Sequence, residues 1–245
     1  VYQTDILMNS GKSSIVSTIK ARRASALINL VEELEDRGWA APASSTDKVL
    51  PYGLPYWIVK NATTGFNGGA ASGHTTVANV SLTDSPTFKN YTAAYTNITK
   101  ADLVKKLRTA HRSTRFVSPI TINDYRGGLG ERYRLYVNES TMSSIEDLGE
   151  AQNENLGRDI ASMDGVMTFR RHPIIWVPKL DSDTSNPVYM VDHSTFYPVW
   201  LRGDYLRESE AKQAPNQDNV WYNIVWLSYN FANIDRRRNA VLYVA

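Results

Sequence analysis

The sequence predicts an α+β fold. Three observations carry that reading. Amphipathic helical stretches occupy the first half of the 245-residue chain, while strand-like stretches crowd the second half. The elements run α, irregular β, α, β, α, then many strands, so strands from distant segments must share sheets. Hydrophobic residues make up 42% and charged residues 21%, the composition of a chain that buries a core. At this length about 70–75% of the unfolded chain's surface can be buried without staples.

Residues 1–13 read as an extended arm. Residues 14–38 read as a helix, because Val16, Ile19, Leu27, Leu30, Val31 and Leu34 recur at steps of three and four. Its charges run against the helix macrodipole: Lys12, Lys20, Arg22 and Arg23 come early, and Glu32, Glu33, Glu35 and Asp36 late. They form either a solvated face or contacts to neighbouring chains. Residues 40–98 contain no convincing helix. Short β-prone pieces, Tyr56 to Lys60 and Thr75 to Val80, sit among Gly, Pro, Ser and Asn. A stretch this long is either an excursion or a set of weak hairpins that find partners elsewhere.

A second helix is expected at 99–114, opened by Thr99 and Asp102 in the manner of a capping box. Its apolar stripe reads Ala101, Val104, Leu107 and His111. After the "YRGGLGERYR" loop, "RLYVNES" at 134–140 reads as a strand. Residues 141–160 read as a polar helix carrying Met142, Ile145, Leu148, Leu156 and Ile160. "TFRRHPIIWVPKL" is strand-like up to Pro178, and "NPVYMVDHSTFYPVWLRGDYLRES" supplies two or three more strands. "VWYNIVWLSYNF" at 220–231, apolar on both faces, is expected at the centre of a sheet. "NAVLYV" forms the last strand, and Arg236, Arg237 and Arg238 form a polar turn before it, in which at least one arginine pairs with an acid. Three segments result: an N-terminal arm and helix (1–39), an irregular region (40–98) and an intertwined remainder (99–245).

The absence of cysteine excludes disulfides, zinc–thiolate sites, iron–sulfur clusters and cysteine nucleophiles. No apolar run approaches the ~20 residues of a membrane span. Lys+Arg 27 against Asp+Glu 25 gives a net charge of +2, too mild for a protein dedicated to coating DNA. The Asn-x-Ser/Thr triplets at Asn61, Asn79, Asn90, Asn97 and Asn138 are attributed to chance in an Asn- and Thr-rich chain.

Motifs for chemistry fail on spacing. "NSGKSS" lacks the phosphate-loop glycine, since Ile6 stands there. "GFNGGAASG" at 65–73 matches no dinucleotide fingerprint and reads as a mobile loop tip. Asp192, His193 and Ser194 are adjacent, so on a strand they point to alternate faces and cannot converge as a triad. His74, His111 and His172 lack metal-ligand spacing. Basic clusters at 105–115, 170–171 and 236–238 could face phosphate or water, and no aromatics interleave with them as base-stacking surfaces require. No catalytic residue, cofactor or metal is expected.

Five segments resemble the major capsid proteins of tailed bacteriophages, whose fold is shared with encapsulin shells. They are "RRHPIIWVPKL", "PVYMVDHSTFYPVWLRGDYLRES" and the closing hairpin "NVWYNIVWLSYNFANIDRRRNAVLYV", with "WIVKNATTGFNGG" and "ITKADLVKKLRTAHRST" upstream. The resemblance implies a peripheral domain (long helix plus long β-hairpin), an axial domain, an extended loop and an N-terminal arm. Residues 40–98 would be the extended loop and 99–114 the long peripheral helix. It implies a subunit that self-assembles into pentamers and hexamers of an icosahedral virion shell in the host bacterial cytoplasm. The shell would enclose double-stranded DNA without sequence specificity, with scaffolding, portal and decoration proteins as further partners and no membrane. Arg22, Arg23, Glu32, Glu33, Asp36, Gly65, Asn67, Arg236, Arg237 and Arg238 are the candidate inter-subunit contacts. A start at Val1 fits a coat whose N-terminal scaffolding segment is removed during maturation; a truncated sequence would start the same way. The rival readings are an encapsulin-like shell, an α+β enzyme with a site built from scattered acids or histidines, and a monomeric ligand- or DNA-binding module.

Overall fold

The computed structural model describes residues 12–47, 49–115, 133–153, 167–170 and 172–245. The expected arm at 1–11, most of the "YRGGLGERYR" loop, and Leu156, Ile160 and Arg171 lie outside the described residues. The elements are α1 (Lys12–Gly38), α2 (Leu54–Trp57), β1 (Tyr91–Tyr95), a π-helical turn (Lys100–Val104) leading into α3 (Lys105–Thr114), β2 (Tyr133–Val137), α4 (Glu139–Asn153), β3 (Thr168–Phe169) and β4 (His172–Trp176). A 3-10 turn (Pro178–Ser182) follows, then β5 (Val188–Asp192), β6 (Phe196–Trp200), β7 (Arg207–Glu208), β8 (Lys212–Ala214), β9 (Gln217–Tyr222), β10 (Val225–Trp226) and β11 (Tyr229–Asn233). A 3-10 turn (Arg236–Arg238) leads into β12 (Ala240–Val244). The fold is α+β, in two compact units: residues 1–38 with 198–230, and residues 39–197 with 231–245. Sequence reasoning drew its boundaries at 39 and 98 instead. Among the described residues no helix is long and apolar enough to cross a membrane.

The larger unit is organised by a six-stranded mixed sheet in the order β1-β12-β5-β2-β4-β3. β12 runs parallel to β1 and antiparallel to β5, pairing Ala240 with Met190 and Leu242 with Val188. Alternation sends Ala240, Leu242, Val188 and Met190 to one face and Val241, Tyr189 and Val191 to the other. Both faces are covered, so these strands have almost no polar side. On the first face lie Leu103 of the π turn and Leu107 and Ala110 of α3, with Met142 and Ile145 of α4. On the second lie Leu54, Trp57, Ile58, Ala71 and Val77 from residues 39–98, with Val177 and Leu180.

Two expectations change here. Residues 40–98 supply core to this unit rather than an excursion, with a short helix at 54–57 in place of a strand from Tyr56. Thr75 to Val80 reduces to a bridge between Val77 and Val80. The 99–114 helix packs on the six-stranded sheet, not in a peripheral domain. Its buried stripe is Leu103, Leu107, Ala110 and Thr114; of the expected stripe Leu107 is buried, Val104 and His111 are half-buried and Ala101 is exposed. The π turn opens the helix, with Val104 N–H donating to Thr99 O, an i→i−5 bond. Thr99 does cap, accepting from Asp102 N–H at 3.2 Å, and the Asp102 carboxylate accepts from Thr96 and Asn97 N–H.

The smaller unit pairs a long helix with a long interrupted β-hairpin. Leu27, Leu30 and Leu34 of α1 are half-buried; Ile28 and Val31 are exposed. The chain runs out along β6, β7 and β8 and returns along β9, β10 and β11, with β8 on β9, β7 on β10 and β6 on β11. The turn between β8 and β9 uses Asn216 in the left-handed region at φ +66. Residues 220–231 are therefore not a central strand and do not form a hairpin with β12. They are split into short pieces that leave Trp221, Ile224 and Trp226 exposed. Arg23 ties helix to hairpin by a two-pronged contact with Glu208 at 2.9 and 3.0 Å.

Candidate functional site

The three consecutive arginines do three different jobs. Arg236 is fully buried in the larger unit. Its Nε donates to Trp57 O at 2.6 Å, its Nη1 to Phe88 O at 3.0 Å, and its Nη2 to Gly69 O at 2.8 Å and Asn90 Oδ1 at 3.1 Å. No carboxylate joins them among the described residues, and burial pulls its pKa down to about 10. The side chain closes residues 57–90 over the sheet. Asn90 completes the knot, accepting from Val59 N–H and donating to Val59 O and Tyr91 O. A Cβ on Gly68 would stand 1.8 Å from Asn90 Oδ1, so only glycine fits there.

Arg238 is also buried, 3.4 Å from Asp192 and 3.7 Å from Asp235, which meets the expectation that one arginine pairs with an acid. Arg237 is exposed and its guanidinium lies 4.2 Å from the Phe66 ring centroid. Burial separates 236 and 238 from 237 in a 3-10 turn capped by the Asp235 side chain. Arg236 and Arg238 consequently present no surface to another subunit.

The 65–73 loop is anchored. Gly65 takes φ +124 and exchanges two backbone hydrogen bonds with Thr92. Asn67 donates to Thr64 O, Gly69 O accepts from Arg236, and Ala71 is buried. The mobile-tip reading gives way to a loop held at both ends, with Ala71 in the core.

Asp192 accepts from Ser194 N–H at 3.0 Å and from its hydroxyl at 2.6 Å, while His193 Nε2 faces the Tyr136 hydroxyl at 2.6 Å. The three adjacent residues thus serve a turn and a packing contact. Asn90 and Asn138 are buried, which removes their triplets as glycan acceptors.

His111 and His172, distant in sequence, stand with ring centroids 5.4 Å apart. Arg115 Nη1 approaches His172 Nε2 at 2.5 Å and His111 Nε2 at 3.4 Å, and Arg170 Nη1 approaches His111 Nδ1 at 3.4 Å. Burial and then the neighbouring guanidinium groups hold His111 down to about 4, and His172 is lowered for the same reasons. Their spacing, 61 residues apart in the chain, does not announce this meeting. A cleft of 590 Å³ opens on the second face of the sheet between Trp39, Pro55, Ile58, Leu180 and Tyr189. Lys60 on its rim pairs with Asp183 and donates to Ser185 Oγ at 2.7 Å.

In the smaller unit Arg22, Arg23, Glu32, Glu33 and Asp36 are all exposed. Glu33 pairs with Arg37 at 2.6 Å and Arg23 with Glu208. Around them Val199, Trp200, Leu201, Tyr205, Leu206, Trp221, Ile224 and Trp226 of the hairpin stand exposed. Leu206 holds φ +48, in the left-handed region that a leucine seldom occupies.

The chain is an α+β fold of two units, one a helix and hairpin and the other built on a mixed sheet, and the fold is of a capsid type. One solved structure similar to this chain is the asymmetric unit of the cyanophage A-1(L) capsid, at 12% sequence identity and a TM-score of 0.62; the likeness covers 99% of this chain and 74% of that one. At that identity it shows the fold. No family model matches the chain, and no curated protein matches it in sequence.

Proposed function

We propose that this protein is a structural subunit that assembles with its own copies into the icosahedral shell of a tailed phage and encloses its double-stranded DNA. The observation that carries the reading is the end-to-end likeness in fold to a cyanophage capsid. The smaller unit supports it independently. A single chain rarely leaves so many large apolar side chains exposed on one segment unless another surface covers them. Copies of the chain are the natural cover, since closed symmetric shells reuse one surface many times. Arg22, Arg23, Glu32, Glu33, Asp36 and Arg237, exposed on their elements, are the charged contacts this reading assigns to neighbours. The Asn67 loop contributes through its outer half. The role is architectural rather than enzymatic, and it places the protein in the virion.

Light scattering on the purified full chain, followed by negative-stain microscopy, tests the proposal. Megadalton particles of uniform diameter are expected; a strict monomer across concentration and salt would sink it. An encapsulin-like shell is the second reading, favoured by the same fold and separated by whether the particles carry nucleic acid.

A further inference from the structure

Helix α3 presents Lys105, Arg108 and Arg112 on one side, at steps of three and four residues, while Leu103, Leu107 and Ala110 turn into the sheet. All three cations are exposed. Arg115, at the helix C-cap, extends the row and is braced against His172 and the Tyr133 ring. The fold adds a cation that sequence spacing could not place: Arg170, exposed at φ +51 in the turn between β3 and β4, comes to His111 at the end of the same helix. Among the described residues no carboxylate pairs with Lys105, Arg108, Arg112 or Arg170. Lys106, one position off the row, does find an acid, Asp102, at 2.5 Å. Helix stabilisation does not explain the row. Arg112 and Arg115 sit where the macrodipole favours cations, but Lys105 and Arg108 sit earlier, where it offers nothing.

We propose that the outer face of α3, with the Arg170 turn, binds the phosphate backbone of double-stranded DNA. The inference rests on the shell reading and deepens it: the α3 side of the sheet faces the enclosed genome. From Lys105 to Arg112 the helix advances about 10 Å, a length over which a duplex carries about six phosphates. Guanidinium forks match phosphate oxygens two at a time. No aromatic side chain lies in the row, so bases have nothing to stack on, and a duplex fits better than a single strand. Helix α4, on the same side of the sheet, carries Glu139, Glu146 and Asp147, which confines the basic surface to α3 and the turn.

The test is fluorescence anisotropy of a labelled random-sequence duplex of 30 base pairs, titrated with full chain across a series of KCl concentrations. Wild type is compared with the combined variant Lys105→Gln, Arg108→Gln, Arg112→Gln and Arg170→Gln, with thermal melts confirming the fold. The variant is expected to lose at least tenfold in affinity at low salt. Its slope of log K against log salt should be shallower by about 0.9 for each lost contact. If the combined variant fails to fold, Arg108→Gln and Arg170→Gln singly carry the test, each expected to lower the slope by about 0.9. Unchanged binding by the variants, no binding of the duplex by wild type at low salt, or equal binding of poly-glutamate would overturn the proposal. Microscopy of the same preparations separates the two readings. Particles from wild type with DNA binding indifferent to the substitutions would remove this surface and leave the shell; absence of particles would remove the shell.

Discussion

The two units of this chain solve opposite problems. In the larger one the middle strands are buried on both faces, and a buried guanidinium is met by backbone carbonyls from three separate segments. In the smaller one the hairpin strands pair in twos, no helix residue from Lys20 to Gly38 is fully buried, and tryptophans stand partly in water. The first is complete by itself. The second carries apolar area that one copy cannot hide. The contrast teaches that hydrophobicity marks surface that favours being covered and says nothing about which molecule covers it.

The contrast can be broken most sharply at Arg236. Arg236→Met should cost about 4 kcal/mol or more, since it strands several buried oxygen acceptors at ~1 kcal/mol or more each; denaturant unfolding of the full chain reads this directly. Leu242→Ala follows. It empties a fully buried site in the second strand of the sheet, and a loss of about 2–5 kcal/mol is expected in the same measurement. Deleting residues 65–73 belongs with these two, and loss of cooperative unfolding is the expected result because Gly69 and Ala71 belong to the core.

Acid should act next, and on the larger unit. His111, His172 and His193 all have pKa values held below 6.5, chiefly by burial. A histidine depressed in the folded state takes up its proton more readily once unfolded. Its stabilisation is therefore whole above pH 6.5 and is lost as pH falls towards about 4, the value for His111. Asp102, lowered to about 2 by Lys106 and two backbone N–H groups, keeps its contribution through that window. Unfolding midpoints measured at pH 7 and pH 4.5 should differ, and His172→Gln should shrink the difference; an unchanged difference in the variant would show that other groups carry it.

The smallest effects on folding belong to the smaller unit. Arg23→Ala removes an exposed pair and should cost less than about 1 kcal/mol. Leu201→Ser with Tyr205→Ser should leave the melting temperature of the subunit nearly unmoved while reducing particle yield in light scattering. Assembly at wild-type yield would detach that loop from the proposed interface.

The sequence made the α+β order of elements legible, including the helix at 14–38 and the strands around 172–176 and 188–192. It misplaced what depends on partners. "VWYNIVWLSYNF" is as apolar as a central strand, and only the structure shows it returning along β6, β7 and β8 at the surface. "NAVLYV" looked like an ordinary last strand, yet it lies between β1 and β5. In α3 the stripe was legible at Leu107, while Ala110 and Thr114, small or polar, carry too little apolar signal to mark the buried face. The arginine row of the sequence told of charge, but three arginines that look alike in a string differ completely once carbonyls from residues 57, 69 and 88 converge on one of them.

The place of β12 sets the timing of folding. Its neighbour β1 lies about 145 residues upstream, so pairing them closes a very long loop and ranks among the slow events of folding. A ribosome that has released only residues up to 239 has exposed β1 without its strand partner and β5 without one of its two. The side chain of Arg236 has by then emerged, but the sheet edge on which its turn rests has not formed. The larger unit can thus complete itself only after synthesis has passed residue 244, while the local hairpin of the smaller unit needs nothing beyond residue 233. On each nascent chain the sticky hairpin is ready before the stable body that must present it, which makes that interval the one in which the cell's chaperones have most to guard.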